Sequence, residues 1–528
     1  METSVCIYGA TAGGVAAAVQ AARMGASVVL LESGEHLGGM TSGGLGATDI
    51  GNKQAIGGIA REFYQRVARH YSGEEAWYRQ SREDYFRSPR RSSDTMDASG
   101  ERRATMWTFE PHVAKSILFE MLNGAKVPVY FRQSLISVKK EGNRLREILM
   151  GNGRLYRADI FIDASYEGDL MARAGVSYTV GREANRVYDE TLNGIREKTP
   201  KHQFAVNVDP YLEPGRPASG CVPLVQEGGL GQPGEGDFSV QAYNFRLCYT
   251  RVKSNQLPHA APANYSPAQY ELLARYLEAL VAAGRTPKLR EFWNPTPMPN
   301  GKTDANNNGP LSTDFIGHNY AYPEGDYAAR EAIWREHKDY TQGLFYFLSS
   351  DSRVPASLQK EVRDWGPARD EFAESGNWPP QLYVREARRM VSDTVMSEHH
   401  CRGTVQVADS VGLAAYTMDS HNCRRIVRNG RAENEGDVQV GGFPPYPVGY
   451  GAMVPKGREC RNLLVPICLS ASHIAYGSIR MEPVFMILGQ SAATAGVMAL
   501  ERRCAVQEVD YASLRAKLLA DGQVLAWK

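Results

Sequence analysis

The sequence predicts an α/β fold, and three observations carry that prediction. Residues 4–32 read SVCIYGATAGGVAAAVQAARMGASVVLLE: an apolar run, a glycine-rich turn, an alanine-rich stretch of high helix propensity, and a second apolar run closed by an acid. Residues 163–170, DASYEGDL, repeat the pattern of a strand end leading into a capped helix. Residues 484–500 form a long apolar segment rich in small residues, with Pro483 at its first turn. The expected architecture is a discontinuous, Rossmann-like α/β domain built from both ends of the chain, with an inserted α+β domain. The predicted segments are residues 1–197 and 448–528 for the first domain, with a surface excursion at 72–103, and residues 198–447 for the insertion.

The opening unit is the most specific element. Val5 to Tyr8 reads as a buried strand, and a tight turn at Gly9 aims the N-terminus of the next helix at a ligand. The free N–H groups and the positive dipole end of that helix suit a pyrophosphate. Gly14 allows close packing of helix on strand, and Gly25 ends the helix. Glu32 can accept hydrogen bonds from ribose hydroxyls and would repel a 2′-phosphate. Thr11 stands where the usual motif has its second glycine, and Gly13 is additional. Strand, turn, helix, strand and acid in this order still specify a dinucleotide site, with Gly9, Thr11, Ala12, Gly13, Gly14, Glu32 and Ser33 as its contacts.

Residues 36–49, HLGGMTSGGLGATD, follow at once. Such glycine density argues against regular structure and for backbone lying flat against something large. With this loop the opening resembles the glutathione-reductase-type FAD proteins and, more closely, the broad family of FAD-dependent oxidoreductases. The resemblance implies FAD as cofactor, with Gly38, Gly39, Met40, Thr41 and Gly44 passing along the isoalloxazine. Met40 stands where some relatives of the succinate dehydrogenase group carry a flavin-linked histidine, so a non-covalent flavin is implied. His36 suits a backbone-shaping role.

The same resemblance extends down the chain. Residues 56–71 are patterned as an amphipathic helix, and a helix over 113–123 leads to a strand at Val127-Pro128-Val129, whose backbone is implied to read the adenine edge. Strands follow at 135–138, 145–150 and 160–163. The DASYEGD block then returns the chain to the FAD, implicating Ala164, Ser165, Gly168 and Asp169. Beyond residue 198 prolines and aromatics are dense. A strand is expected at 241–246, with Tyr243 facing a pocket, and helices at 266–283 and 327–346. Residues 304–314, DANNNGPLSTD, match a calcium loop at four positions. Phe315 stands where the bidentate glutamate belongs, so a glycine- and asparagine-rich turn is expected and no metal. Residues 382–389, LYVREARR, offer either arginines for phosphate or substrate oxygens or a salt-bridged helix face. In Y-x-x-D-x-H, residues 416–421, strand spacing puts Asp419 and His421 on one face. An apolar strand at 462–469, a turn at 470–473 and the Pro483-initiated helix close the chain. In the resembling fold that helix points at flavin N1 and O2.

The totals restrict the class. At 528 residues the chain is too long for one compact core. A formal net charge of +1 gives no reason to expect nucleic acid or an anionic membrane surface as partner. The first apolar run lacks a basic segment before it and is broken by glycines, unlike a signal peptide. No run is expected to reach membrane-span length. Eight scattered cysteines without C-x-x-C read as reduced thiols of a cytoplasmic protein, with no zinc or iron–sulfur site.

The implied reaction is transfer of a hydride from a polar hydroxylated small molecule, such as a sugar or glycoside, to flavin N5, with a histidine as base. Neutral histidine suits that role at pH 7, and His421 and His473 have motif support. Arg385 and Arg480 are candidates to hold substrate oxygens or the flavin, and Tyr416 and Tyr243 could line the pocket. Two other reactions stay open: oxidation of an amine or amino acid, with an arginine clamping a carboxylate, and reduction of an activated double bond with an arginine as acid. A redox-silent FAD-binding module is the non-enzymatic alternative. The electron acceptor and the oligomeric state have no sequence signal.

Overall fold

The computed structural model describes residues 1–87 and 104–527. The chain divides into two compact units. One holds Met1–Val180, Glu386–Met418 and Val440–Lys528, the other Gly181–Arg385 and Asp419–Gln439. The unit boundaries differ from the expected ones: residues 181–197 belong to the second unit, and 386–418 and 440–447 to the first. Of the expected excursion, residues 88–103 lie outside the described residues. The part before them holds a short helix, Arg82–Phe86.

The first unit is built on a seven-stranded sheet. Its strands are β1 (Glu2–Tyr8), β2 (Val28–Leu31), β3 (Val129–Tyr130), β4 (Leu135–Glu141), β5 (Arg144–Met150), β6 (Leu155–Asp163) and β7 (Leu463–Leu464). The order is β3-β2-β1-β6-β5-β4. β1 pairs in parallel with β2 and β6, and β2 with β3, as helix-connected crossovers require. β5 runs antiparallel on the early part of β6, at Leu155 to Arg157, and β7 runs parallel beside Phe161 and Ile162. The register decides where the site falls. Tyr8 lies between Leu31 and Asp163, so Gly9, Glu32 and Ala164 leave the sheet together at its carboxyl edge.

Two helices cover the core of that sheet. The first, Ala12–Arg23, packs on the last, Glu482–Arg502, through glycines. A Cβ on Gly489 would come within 2.1 Å of the Gly13 carbonyl oxygen, and one on Gly13 within 2.8 Å of the Phe485 oxygen. Gly13, unexplained by the fingerprint, is therefore a helix–helix contact. The last helix has 21 residues, long and apolar enough to span a membrane by length and composition, contrary to expectation, and 94% of its apolar window is buried.

The second unit carries a four-stranded sheet in the order Gly366–Pro367, Leu247–Thr250, Lys302–Asn307, Trp293–Pro297, its pairings antiparallel. Helices Glu271–Ala282, Tyr327–Ser350 and Ala356–Arg363 accompany it. Arg246 forks onto Asp304 at 2.8 and 2.7 Å, and Lys302 meets Glu371 at 2.7 Å, both pairs buried.

Several expected elements move. The run at 241–246 is not a strand: its one ladder contact is an isolated bridge from Asn244 to Tyr383, and the strand begins at Leu247. Residues 302–307 are a strand instead of the start of a turn, and Asp304 of the calcium-like pattern is taken by Arg246. The 382–388 segment forms no helix, so it has no helix face. Val127 precedes its strand, and the 462–469 strand is only two residues long.

Candidate functional site

In the first unit the turn after β1 is closed from three sides. Gly9 has φ +101°, and a Cβ there would meet the Ala164 and Ser165 backbone at 2.5 Å. Gly14 is tighter still, with a Cβ position 2.0 Å from the Gly9 carbonyl oxygen. Thr11 caps the helix that Ala12 begins: its Oγ1 accepts from the Gly14 amide at 3.1 Å and donates to the Ala164 carbonyl at 2.8 Å. A hydroxyl thus replaces the second glycine and stitches the turn to β6. Glu32 Oε2 accepts the Ala10 amide at 2.8 Å, and Oε1 accepts the Gly34 amide at 2.8 Å and the Ser33 hydroxyl at 3.2 Å. Burial, opposed by these bonds, raises its pKa. Glycines without room for a side chain, a helix N-terminus and an acid at the neighbouring strand end together fit an adenine dinucleotide.

The glycine loop is more ordered than its composition suggests. Gly39–Ser42 forms a helical turn, entered through Gly38 at φ +97°. His36 Nε2 contacts the Gly39 carbonyl at 3.2 Å and the Ser42 hydroxyl at 3.0 Å, the shaping role expected of it. Gly44 also adopts positive φ. Val127, buried, leads into β3. The DASYEGD block closes on its own side chains. Buried Asp163 accepts from the Ser165 hydroxyl at 2.7 Å and the Met171 amide at 2.8 Å, and burial lifts its pKa to about 6. Gly168 donates to Ser165 Oγ. Asp169 is held by Arg388 at 2.8 Å. Pro483 lies in the first turn of the last helix.

His473 begins the short helix His473–Ile479, not a turn, and is buried. Its Nδ1 meets Glu386 Oε2 at 2.7 Å, while Arg389 grips the other Glu386 oxygen. A carboxylate on Nδ1 holds the proton there and makes Nε2 the basic nitrogen. Arg480, buried, terminates that helix.

The second unit holds His421, Arg385 and Tyr243, and Tyr416 falls in the first. His421 Nδ1 meets Asp314 Oδ2 at 2.7 Å, and its Nε2 lies 3.5 Å from Asp419, on the same face as expected. Arg385 Nη2 is 2.9 Å from Asp314 Oδ1. Burial and Arg385 press the His421 pKa down, Asp314 and Asp419 press it up, and the net shift is upward. Asp314 is the counterpart: burial raises its pKa, Arg385 and His421 lower it, and it falls overall. Asp437 joins the same electrostatic cluster, its pKa raised to about 7 by burial. Its Oδ1 has no hydrogen-bond partner among the described residues. Tyr243 is buried among rings, at 5.4 Å edge-on to Tyr322.

The three arginines of 382–389 each face a protein carboxylate: Arg385 on Asp314, Arg388 on Asp169, Arg389 on Glu386. Sequence reasoning missed Asp314, Glu386, Tyr166, Asp437 and Glu482. Asp314 lies in the calcium-like segment, Tyr166 in the DASYEGD block, Glu386 in LYVREARR and Glu482 beside Pro483, but none of these patterns marks the partner each residue takes, and Asp437 lies in no motif.

The family model described as FAD dependent oxidoreductase matches residues 4–518. No curated protein matches the chain by sequence. Solved structures align over parts only. The anhydrotetracycline hydroxylase OxyS from Streptomyces rimosus is 15% identical, over 40% of this chain and 38% of its own, with a TM-score of 0.23. THI4 from Thermovibrio ammonificans is 16% identical, over 34% and 66%, at 0.23. An L-amino acid deaminase from Proteus myxofaciens is 17% identical, over 34% and 49%, at 0.23. The chain spans less than half the length of the first of these, and scores this low carry no argument about its chemistry.

Proposed function

This chain belongs to the FAD dependent oxidoreductase family, and on that premise we propose that it oxidises a polar hydroxylated small molecule, of the sugar or glycoside class, with His421 as the base. FAD, the cofactor of the family, supplies the two-electron acceptor. Gly9, Gly14, Thr11, Ala12 and Glu32 would hold its dinucleotide, and Met40, lacking a nucleophilic ring nitrogen, fits a non-covalent flavin.

The observation that carries the reading is the 2.7 Å bond from His421 Nδ1 to Asp314. A carboxylate there fixes the ring, keeps the proton on Nδ1 and strengthens Nε2 as a base toward a donor hydroxyl. Asp419 beside Nε2 can accept a second hydroxyl. Engagement of Arg385 by Asp314 supports an alcohol donor over an amino acid, because a guanidinium already paired with a carboxylate is a poor clamp for another.

The test is turnover and flavin content of His421→Ala. Removing a general base lowers turnover by about 10²–10⁴-fold, and flavin content should stay at the wild-type level. Normal turnover in that variant would overturn the assignment.

A further inference from the structure

Glu482 is the first residue of the last helix, 4% exposed, and has no ion pair among the described residues. Three donors converge on its carboxylate. The Thr41 hydroxyl donates to Oε2 at 2.7 Å, the Tyr166 hydroxyl donates to Oε1 at 2.6 Å, and the Thr41 amide adds a backbone bond. Tyr166 in turn accepts the Met40 amide at 2.9 Å. Its hydroxyl also lies where a Cβ on Gly39 would be, at 2.3 Å, so a side chain there would displace it. Gly39, Met40 and Thr41 belong to the helical turn of the glycine loop, and Tyr166 belongs to the DASYEGD turn after β6. One carboxyl group thus ties both cofactor-facing segments to the N-terminus of the last helix.

We propose that Glu482 is a positioning residue for FAD: ionised, it clamps Thr41 and Tyr166 and holds the Gly39–Ser42 turn in its cofactor-binding conformation, and protonation releases that turn. The donor set fits the anion, since an ionised carboxylate is acceptor-only while a protonated one must donate from one oxygen. The helix N-terminus favours the same charge state. The titratable groups around it are Tyr166, which bonds it directly, and Tyr64 on the helix Gly58–His70, whose burial and proximity to Glu482 keep it neutral. Burial, with no cation opposing it, moves the Glu482 pKa from 4.5 to about 7, so the clamp titrates in the range where proteins are handled. The inference concerns cofactor retention and is independent of which donor is oxidised.

The test is FAD affinity of the apoprotein between pH 5.5 and 8.5, followed by flavin fluorescence. Wild-type Kd should rise as pH falls through the Glu482 range, by up to about tenfold per pH unit, and Glu482→Gln should bind weakly with a flat profile. Thr41→Val removes one donor from the anion, so its midpoint should move to higher pH. This variant keeps the proposal testable should Glu482→Gln fail to fold. Matching pH profiles for wild type and Glu482→Gln, or an unmoved midpoint in Thr41→Val, would overturn the proposal.

Discussion

A methyl group on Gly14 would lie 2.0 Å from the carbonyl oxygen of Gly9. Helix and strand approach as closely as backbone allows, and that approach fixes where the helix N-terminus points. Gly14→Ala is expected to lower the thermal midpoint and empty the protein of flavin, since overpacking a tight site costs about 1–3 kcal/mol and displaces the turn. Gly124→Ala, whose Cβ meets nothing within 4 Å, is the control and should keep both properties. Thermal melts and the flavin absorbance of purified protein decide it.

Thr11 makes two bonds that a glycine could not, one capping the first helix and one to the Ala164 carbonyl. Thr11→Ser should keep both. Thr11→Val loses the cap, worth about 1 kcal/mol, and leaves the Ala164 carbonyl without that donor. Denaturant midpoints of the two variants should separate by that order, with Val the weaker. Equal midpoints would show that the hydroxyl is not structural.

Much of this turn was legible in the sequence because local chemistry governs it. Gly9, Gly14, Gly25 and Glu32 sit where backbone sterics and a strand end demand them. Thr11 was legible as a departure from the motif, but its bond to Ala164 joins residues 153 positions apart, which no local pattern encodes. The glycine loop departs from the expected irregular structure for a related reason. Its helical turn is stabilised by Tyr166 and Glu482, which arrive from elsewhere in the chain. The arginines of 382–389 stand out in the sequence, whereas their carboxylate partners do not, because pairing is decided by tertiary contact. The 241–246 run alternates like a strand, but its side chains serve buried contacts and the ladder starts one residue later.

Asp437 gives a pH prediction. Burial raises its pKa from 3.8 to about 7. The folded state therefore keeps a proton that the unfolded chain sheds above pH 4, and stability from this group falls as pH rises from about 4 to 7. Asp437→Asn removes the penalty. The variant should match wild type below pH 4 and exceed it above pH 7, by at most about 4 kcal/mol. Urea melts at pH 4 and pH 8 measure both ends. A variant less stable at pH 8 would contradict the burial argument.

Asp314 sets the acid limb of the pH–rate profile. Its charge raises the His421 pKa against burial and Arg385. A base must be unprotonated, so activity should rise with pH through that pKa. Asp314→Asn should move the acid limb to lower pH and reduce the plateau by about 10–10²-fold, because a weaker base transfers the proton less effectively. An unmoved limb would show that His421 is not the titrating base.

The central claim, a polar alcohol as electron donor with His421 as its base, is tested most directly by anaerobic visible spectroscopy of the purified flavoprotein with sugars, glycosides, amines and amino acids added in turn. The flavin band should bleach with a hydroxylated donor, far more slowly in His421→Ala than in wild type, and persist with the amines. Bleaching by an amine or amino acid alone, or by a sugar at an unchanged rate in the variant, would contradict it.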